Sequence, residues 1–190
     1  MTATGEYPME RFVEEVKGVM AAGLERREAV RRIVPLLQRL LRQEGLLEDK
    51  YLTELGDGRR SYVFYREPDG SMSITAPVFL PGRPTPVHDH VTWGVVGVYT
   101  GRQRTTRYRR LDDGSVPGRA RLELVADEVL TRGDVYPLLP PDDIHRIEAL
   151  GEEPGISIHV LGMDVRRQRR HTFDPEKGTV HDWEGGSMLR

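Results

Sequence analysis

The sequence of 190 residues contains no cysteine, which excludes disulfide bonds, cysteine-based zinc sites, iron–sulfur clusters and cysteine nucleophiles. It also lacks an apolar run near the ~20 residues that cross a bilayer. Its first residues, MTATGEYPMERF, lack the basic and apolar regions of a secretory signal. The net charge of −2 gives no electrostatic case for nucleic acid. We therefore expect a cytoplasmic protein that binds neither nucleic acid nor membrane.

Two patterns of apolar residues divide the chain. In residues 1–58, apolar residues recur at three- and four-residue spacing on either side of Gly23, which predicts a pair of α-helices. In residues 59–174, short β-rich runs alternate with turn signals such as Pro68-Asp69-Gly70. Many short strands without intervening helices predict a mainly β domain, a barrel or a sandwich. Residues 175–190 are polar and glycine-rich and are predicted to form a C-terminal tail.

The strongest functional signal is a histidine pair with a third histidine downstream. Residues two apart in a strand project to the same face, so His88 and His90 point together. The segment from Gly133 to His145 combines a Gly-Asp turn, a strand and a proline-rich corner, and would return the chain beside that pair. Imidazole suits iron, zinc, copper and nickel. We predict one mononuclear metal site built from His88, His90 and His145.

These two segments resemble the two signature motifs of cupins. The first cupin motif has a glycine, a His-x-His pair, a glutamate and a closing glycine. Here Gly82, His88, His90 and Gly101 match it, whereas Gly94 stands where the glutamate is usual. The resemblance implies a cupin barrel (a double-stranded β-helix, or jelly roll) with the helical pair packed on it. The missing carboxylate implies a neutral site with open positions for substrate and dioxygen.

Several blocks from about residue 62 to 174 also resemble the bacterial thiol dioxygenases, relatives of cysteine dioxygenase. They lie around His88, around His145, and in the stretch Ser157-Ile-His159-Val. The resemblance implies that the three histidines hold iron(II). It also implies that both atoms of O2 are added to the sulfur of a small thiol carboxylate, 3-mercaptopropionate or cysteine, to give a sulfinate.

The same resemblance assigns residues around the metal. Ser157 and His159 match two members of a catalytic Ser-His-Tyr triad, and Leu161 replaces its tyrosine. Leucine has no hydroxyl to donate to substrate or oxygen. Tyr65, on another predicted strand, is a candidate for supplying that hydroxyl and contacting substrate.

The substrate carboxylate requires a cation in this interpretation. Arg170 matches the arginine that pairs with it in the relatives that prefer 3-mercaptopropionate, and an arginine fork suits a carboxylate. An arginine on an early strand, Arg60 or Arg66, is the other solution in the family. Trp93 is predicted to wall the substrate pocket.

Two other functions are compatible with the sequence. The absence of the triad tyrosine is compatible with a cupin that acts on a non-thiol small molecule. A non-catalytic metal-binding sensor is the other alternative, although the sequence has no helix-turn-helix signal. The predicted partners are a small thiol and O2, and the chain is expected to be a monomer or a homodimer.

Overall fold

The computed structural model describes residues 7–47 and 61–183. In these ranges two helices, α1 (Met9–Ala21) and α2 (Arg26–Leu41), precede eleven strands and one turn of 3₁₀ helix (Val165–Arg167). The strands are β1 (Ser61–Arg66), β2 (Ser73–Phe79), β3 (Val87–His88), β4 (Gly94–Thr100), β5 (Arg102–Arg110), β6 (Leu122–Leu130), β7 (Val135–Leu138), β8 (Ile144–Leu150), β9 (Gly155–Leu161), β10 (His171–Asp174) and β11 (Thr179–Asp182).

The strands form two antiparallel sheets. One sheet has the order β1-β2-β9-β4-β7 and the other the order β11-β10-β3-β8-β5-β6. Neighbours such as β2 and β9, or β3 and β8, are far apart in sequence, so the chain crosses repeatedly between the sheets. The prediction of a mainly β cupin barrel with an N-terminal helical pair is confirmed.

The helical pair packs on the five-stranded sheet because each helix buries one apolar face. Helix α2 buries residues spaced three and four apart, among them Ile33 and Leu37, and it lies against β4 and β7. Gly97 of β4 permits this approach, since a Cβ there would lie 2.6 Å from Leu41 Cδ1. Neither helix of the described ranges has the length and apolar character to cross a membrane.

The described part of residues 175–190 differs from the predicted tail. It forms β11, which pairs with β10, and β10 in turn pairs with β3 beside His88. Within the described part, Gly178 and the polar residues after Asp174 belong to the hairpin turn. There Asp174 Oδ1 accepts hydrogen bonds from the backbone of the next residues and Gly178 has φ 62°. Because turns and unstructured tails share the same polar and glycine-containing composition, the sequence alone does not separate them.

Candidate metal centre

The three predicted metal ligands meet inside the barrel. His88 of β3 lies directly opposite His145 of β8 in the strand register, and His90 follows two residues later. All three are buried, with 3%, 3% and 0% exposure for His88, His90 and His145. His145 Nε2 lies 3.1 Å from His88 Nε2 and 3.0 Å from His90 Nε2. The group could therefore hold one metal ion among three imidazoles.

Hydrogen bonds to the opposite ring nitrogens orient two of these imidazoles. His88 Nδ1 donates to the carbonyl of Pro86 at 2.9 Å, which leaves the Nε2 lone pair facing inward. His145 Nδ1 lies 2.9 Å from the Tyr136 hydroxyl oxygen, which can accept a hydrogen bond from its N–H in the same way. Burial holds the pKa of His90 and of His145 well below the usual value. Neutral, converging imidazoles are the form that a divalent transition metal binds, so the donor set fits such an ion.

A buried carboxylate fixes the backbone at His90. Asp143 Oδ2 accepts hydrogen bonds from the backbone N–H of His90 at 3.2 Å and of Val91 at 2.7 Å. Val91 has φ 55°, a left-handed conformation that disfavours a β-branched residue. Asp143 therefore stabilises a strained turn that sets the direction of His90. The sequence interpretation missed Asp143, and its place two residues before His145 was the available signal.

The two departures from the family patterns form a single packing arrangement. Gly94 of β4 and Leu161 of β9 are register partners. A Cβ at position 94 would lie 2.6 Å from Leu161 Cδ2 and 3.2 Å from the Val160 carbonyl. The leucine side chain thus occupies the space that any side chain at position 94 would need. A larger residue at position 94 would therefore clash with Leu161, and the pair leaves this side of the site apolar.

A small cavity of about 50 Å³ adjoins the three histidines. A water molecule needs roughly 10–15 Å³ on this measure, so the space corresponds to a few water molecules and suits a small ligand. Its wall is mostly apolar, with one guanidinium and four imidazoles: Ser61, Thr75, Pro77, Phe79, His88, His90, His145, Ile147, His159, Leu161, Val165 and Arg170.

Arg170 faces the same cavity as the histidines. Its Nε donates a hydrogen bond to the backbone carbonyl of Asp89 at 2.8 Å. The side-chain carboxylate of Asp89 in turn accepts hydrogen bonds from the backbone N–H of His171 at 2.7 Å and from its Nδ1 at 2.6 Å. Burial lowers the pKa of Arg170 to about 10, so the group is still a cation near neutral pH. The alternative Arg66 instead pairs with Asp164 at 3.5 Å. Arg60 lies outside the described residues.

Of the two predicted catalytic residues, only His159 lines the cavity. Its ring centroid lies 6.1 Å from that of His90 and 6.3 Å from that of His145. Among the described residues, its buried Nε2 has no hydrogen-bond partner, and burial lowers its pKa to about 3. Ser157 is buried elsewhere in the barrel, where its hydroxyl donates to Gln103 Oε1 at 2.6 Å.

The structure does not bring Trp93 or Tyr65 to the cavity wall. Trp93 is part of the core beneath the helices, with its indole against Gly162. Tyr65 packs on the same core, and its ring centroid lies 5.6 Å from Lys17 Nζ of α1. A bulge between Val63 and Tyr65 shifts the register of β1 and re-aims the tyrosine. The tyrosine that does reach the site is Tyr136, which the sequence interpretation missed although it lies within the second motif.

Several solved structures resemble the chain over part of its length. No protein-family model matches the chain. A Klebsiella pneumoniae protein with a double-stranded β-helix domain is 16% identical over 65% of this chain and 86% of its own, with a TM-score of 0.46. A cupin-like protein of Thermotoga maritima is 19% identical over 63% and 83%, with a TM-score of 0.40. Oxalate oxidase is 19% identical over 50% of this chain and 43% of its own, less than half its length, with a TM-score of 0.39.

The sheet topology gives the fold, and the histidine cluster gives the candidate site. The chain has the cupin fold, and the barrel carries a buried cluster of His88, His90 and His145 that could bind a metal ion. The Gly94–Leu161 pair leaves no room at the usual carboxylate position, so the candidate ligand set is all imidazole.

Proposed function

We propose that this protein is a non-haem iron(II) dioxygenase that adds O2 to the sulfur of a small thiol carboxylate, such as 3-mercaptopropionate or cysteine. The observation that carries the proposal is the placement of Arg170. Its guanidinium lines the same small cavity as His88, His90 and His145, so one short molecule can reach both the cation and the metal position. The thiol RSH and O2 give the sulfinic acid RSO2H, with both oxygen atoms retained on sulfur.

His88, His90 and His145 would hold the iron, which supplies binding positions for the thiolate and for dioxygen. Arg170 binds the substrate carboxylate through its remaining N–H donors, a charge-assisted contact that fixes the orientation of the sulfur. Phe79 and Ile147 keep the wall apolar and restrict water.

His159 orients bound substrate rather than accepting the thiol proton. With a pKa lowered to about 3 by burial, it is a weak base. Its unpartnered Nε2 faces a cavity in which Leu161 offers no hydroxyl, so it is available for one hydrogen bond to substrate or oxygen. This arrangement gives His159 part of the role that the family assigns to the triad tyrosine.

The test is oxygen uptake by iron-loaded protein with 3-mercaptopropionate, cysteine and cysteamine, the last of which lacks a carboxylate. We expect one O2 consumed per thiol, a sulfinate product carrying two heavy atoms from labelled O2, and poor use of cysteamine. Arg170→Gln should raise KM more than it lowers kcat, with partial recovery in Arg170→Lys. Absence of uptake with every thiol at full iron occupancy would overturn the proposal.

The second candidate is a cupin enzyme acting on a small carboxylate without a thiol, favoured by the apolar Leu161 in place of a hydroxyl. Nitric oxide binding separates the two proposals. If the iron site binds nitric oxide tightly only after thiol addition, the thiol dioxygenase is favoured. Tight binding induced by carboxylates that lack sulfur favours the second candidate.

A further inference from the structure

An aromatic side chain from the C-terminal hairpin covers the cavity arginine. Trp183 directly follows β11, and its backbone N–H donates to the Arg170 carbonyl at 2.7 Å, so the hairpin register sets its position. The Arg170 Cζ atom lies 4.8 Å from the centroid of the Trp183 ring. The same ring lies edge-on to His88, with centroids 5.1 Å apart and planes at 75°.

These contacts constrain a side chain that would otherwise be mobile. Arginine has a long, flexible stem, and ordering it on ligand binding costs affinity. Here the Asp89 carbonyl holds Nε from one edge, and the Trp183 ring lies within cation–π distance. The guanidinium is thereby oriented before any ligand arrives, with its other donors available toward the cavity. The contact between Trp183 and His88 ties the same ring to the candidate metal site.

We propose that Trp183 is a positioning residue that orients Arg170 for recognition of a carboxylate on a metal-bound ligand. This inference rests on the proposed function in one respect, that Arg170 is the carboxylate-binding group. It assigns substrate selection to the C-terminal hairpin: Trp183 favours thiols that carry a carboxylate over thiols that do not. A tryptophan that merely walled the cavity would affect both kinds of thiol equally.

The experiment measures thiol binding without turnover. Protein loaded with cobalt(II) under anaerobic conditions is titrated with 3-mercaptopropionate and, separately, with ethanethiol, and the thiolate-to-cobalt absorption band reports binding. The variants are Trp183→Leu, which removes the ring but keeps apolar bulk, and Trp183→Phe, which keeps a ring. The matched control is Arg169→Gln, an exposed neighbour that pairs with Asp182 on the same hairpin.

We expect Trp183→Leu to weaken 3-mercaptopropionate binding about fivefold to tenfold, as loss of a desolvated cation–π contact does, while ethanethiol binding changes less than about twofold. Trp183→Phe should retain most of the affinity, and Arg169→Gln should match the parent protein. Equal weakening of both thiols, or no change in either, would overturn the inference. So would a parent protein that binds the two thiols equally well.

The outcome is separable from that of the proposed function. If Trp183→Leu removes the discrimination between the thiols but the iron protein takes up no O2, the positioning role stands and the dioxygenase is rejected. If the iron protein takes up O2 with thiols but Trp183→Leu leaves the discrimination unchanged, the dioxygenase stands and the positioning role is rejected.

Discussion

The coupling between Gly94 and Leu161 can be measured as a free energy. Leu161 is 2% exposed and packs with Val96 and Leu138, so Leu161→Ala should cost about 3 kcal/mol of unfolding free energy. Gly94→Ala adds a methyl group 2.6 Å from Leu161 Cδ2, and overpacking of this kind costs about 2 kcal/mol. Addition of the two effects would give about 5 kcal/mol for the double variant.

The structure predicts a smaller loss in the double variant. Once Leu161 is alanine, the 2.6 Å approach to its Cδ2 is gone, the milder 3.2 Å approach to the Val160 carbonyl remains, and the new methyl group fills part of the vacated space. The double variant should therefore lose about 3 kcal/mol or less, a favourable coupling of about 2 kcal/mol. Urea unfolding of metal-free protein, followed by circular dichroism, measures each value without a contribution from metal binding.

Gly97→Ala provides the matched control for this cycle. It introduces the same 2.6 Å approach on the same strand, but against Leu41 of α2. Combined with Leu161→Ala, its effect should be additive within about 0.5 kcal/mol. Additivity in the Gly94 cycle, or equal coupling in both cycles, would refute the argument that Leu161 fills the space of the missing carboxylate.

Three further predictions concern the surroundings of the candidate metal site. Asp143→Ala removes the acceptor for two backbone N–H groups and should cost about 2–3 kcal/mol in urea unfolding, against less than about 1 kcal/mol for Asp142→Ala, whose partly exposed carboxylate is ion-paired. Tyr136→Phe leaves His145 Nδ1 without its partner and should lower zinc affinity about 10–100-fold in a chelator competition, with an unchanged circular dichroism spectrum. For His159, burial lowers the pKa to about 3. Below about pH 6.5 its imidazole is therefore protonated in the unfolded state but not in the folded state, so the free energy of unfolding decreases as the pH falls. His159→Gln should make that decline in urea-unfolding stability shallower by up to about 1.4 kcal/mol per pH unit, and an unchanged slope would contradict the argument.

The cluster of three histidines was predictable from the sequence because the spacing within the His-x-His pair is local information. A His-x-His pair places both rings on one face of a strand whatever the topology, and the proline-rich segment before His145 marks a return to that strand. The three- and four-residue spacing of apolar residues likewise predicted the helical pair, and the short β-rich runs between turn signals predicted a mainly β domain.

The residues around the ligands depend on which strands become neighbours, and the sequence does not show this. Tyr136 and Asp143 contact the histidines only through the pairing of distant strands. The bulge in β1 turned Tyr65 toward the helices, and a residue-by-residue alternation cannot anticipate a bulge. Trp183 lies in a segment whose turn composition looked like a tail, yet β11 carries it to Arg170.

In the proposed function, the three buried imidazoles of His88, His90 and His145 bind one iron(II). Its most direct test is an anaerobic titration of metal-free protein with iron(II), comparing His145→Ala with His181→Ala, an exposed histidine of the C-terminal hairpin. We expect one iron bound per chain in the parent protein and in His181→Ala, and none at the same concentrations in His145→Ala. Retention of one iron per chain in His145→Ala would contradict it.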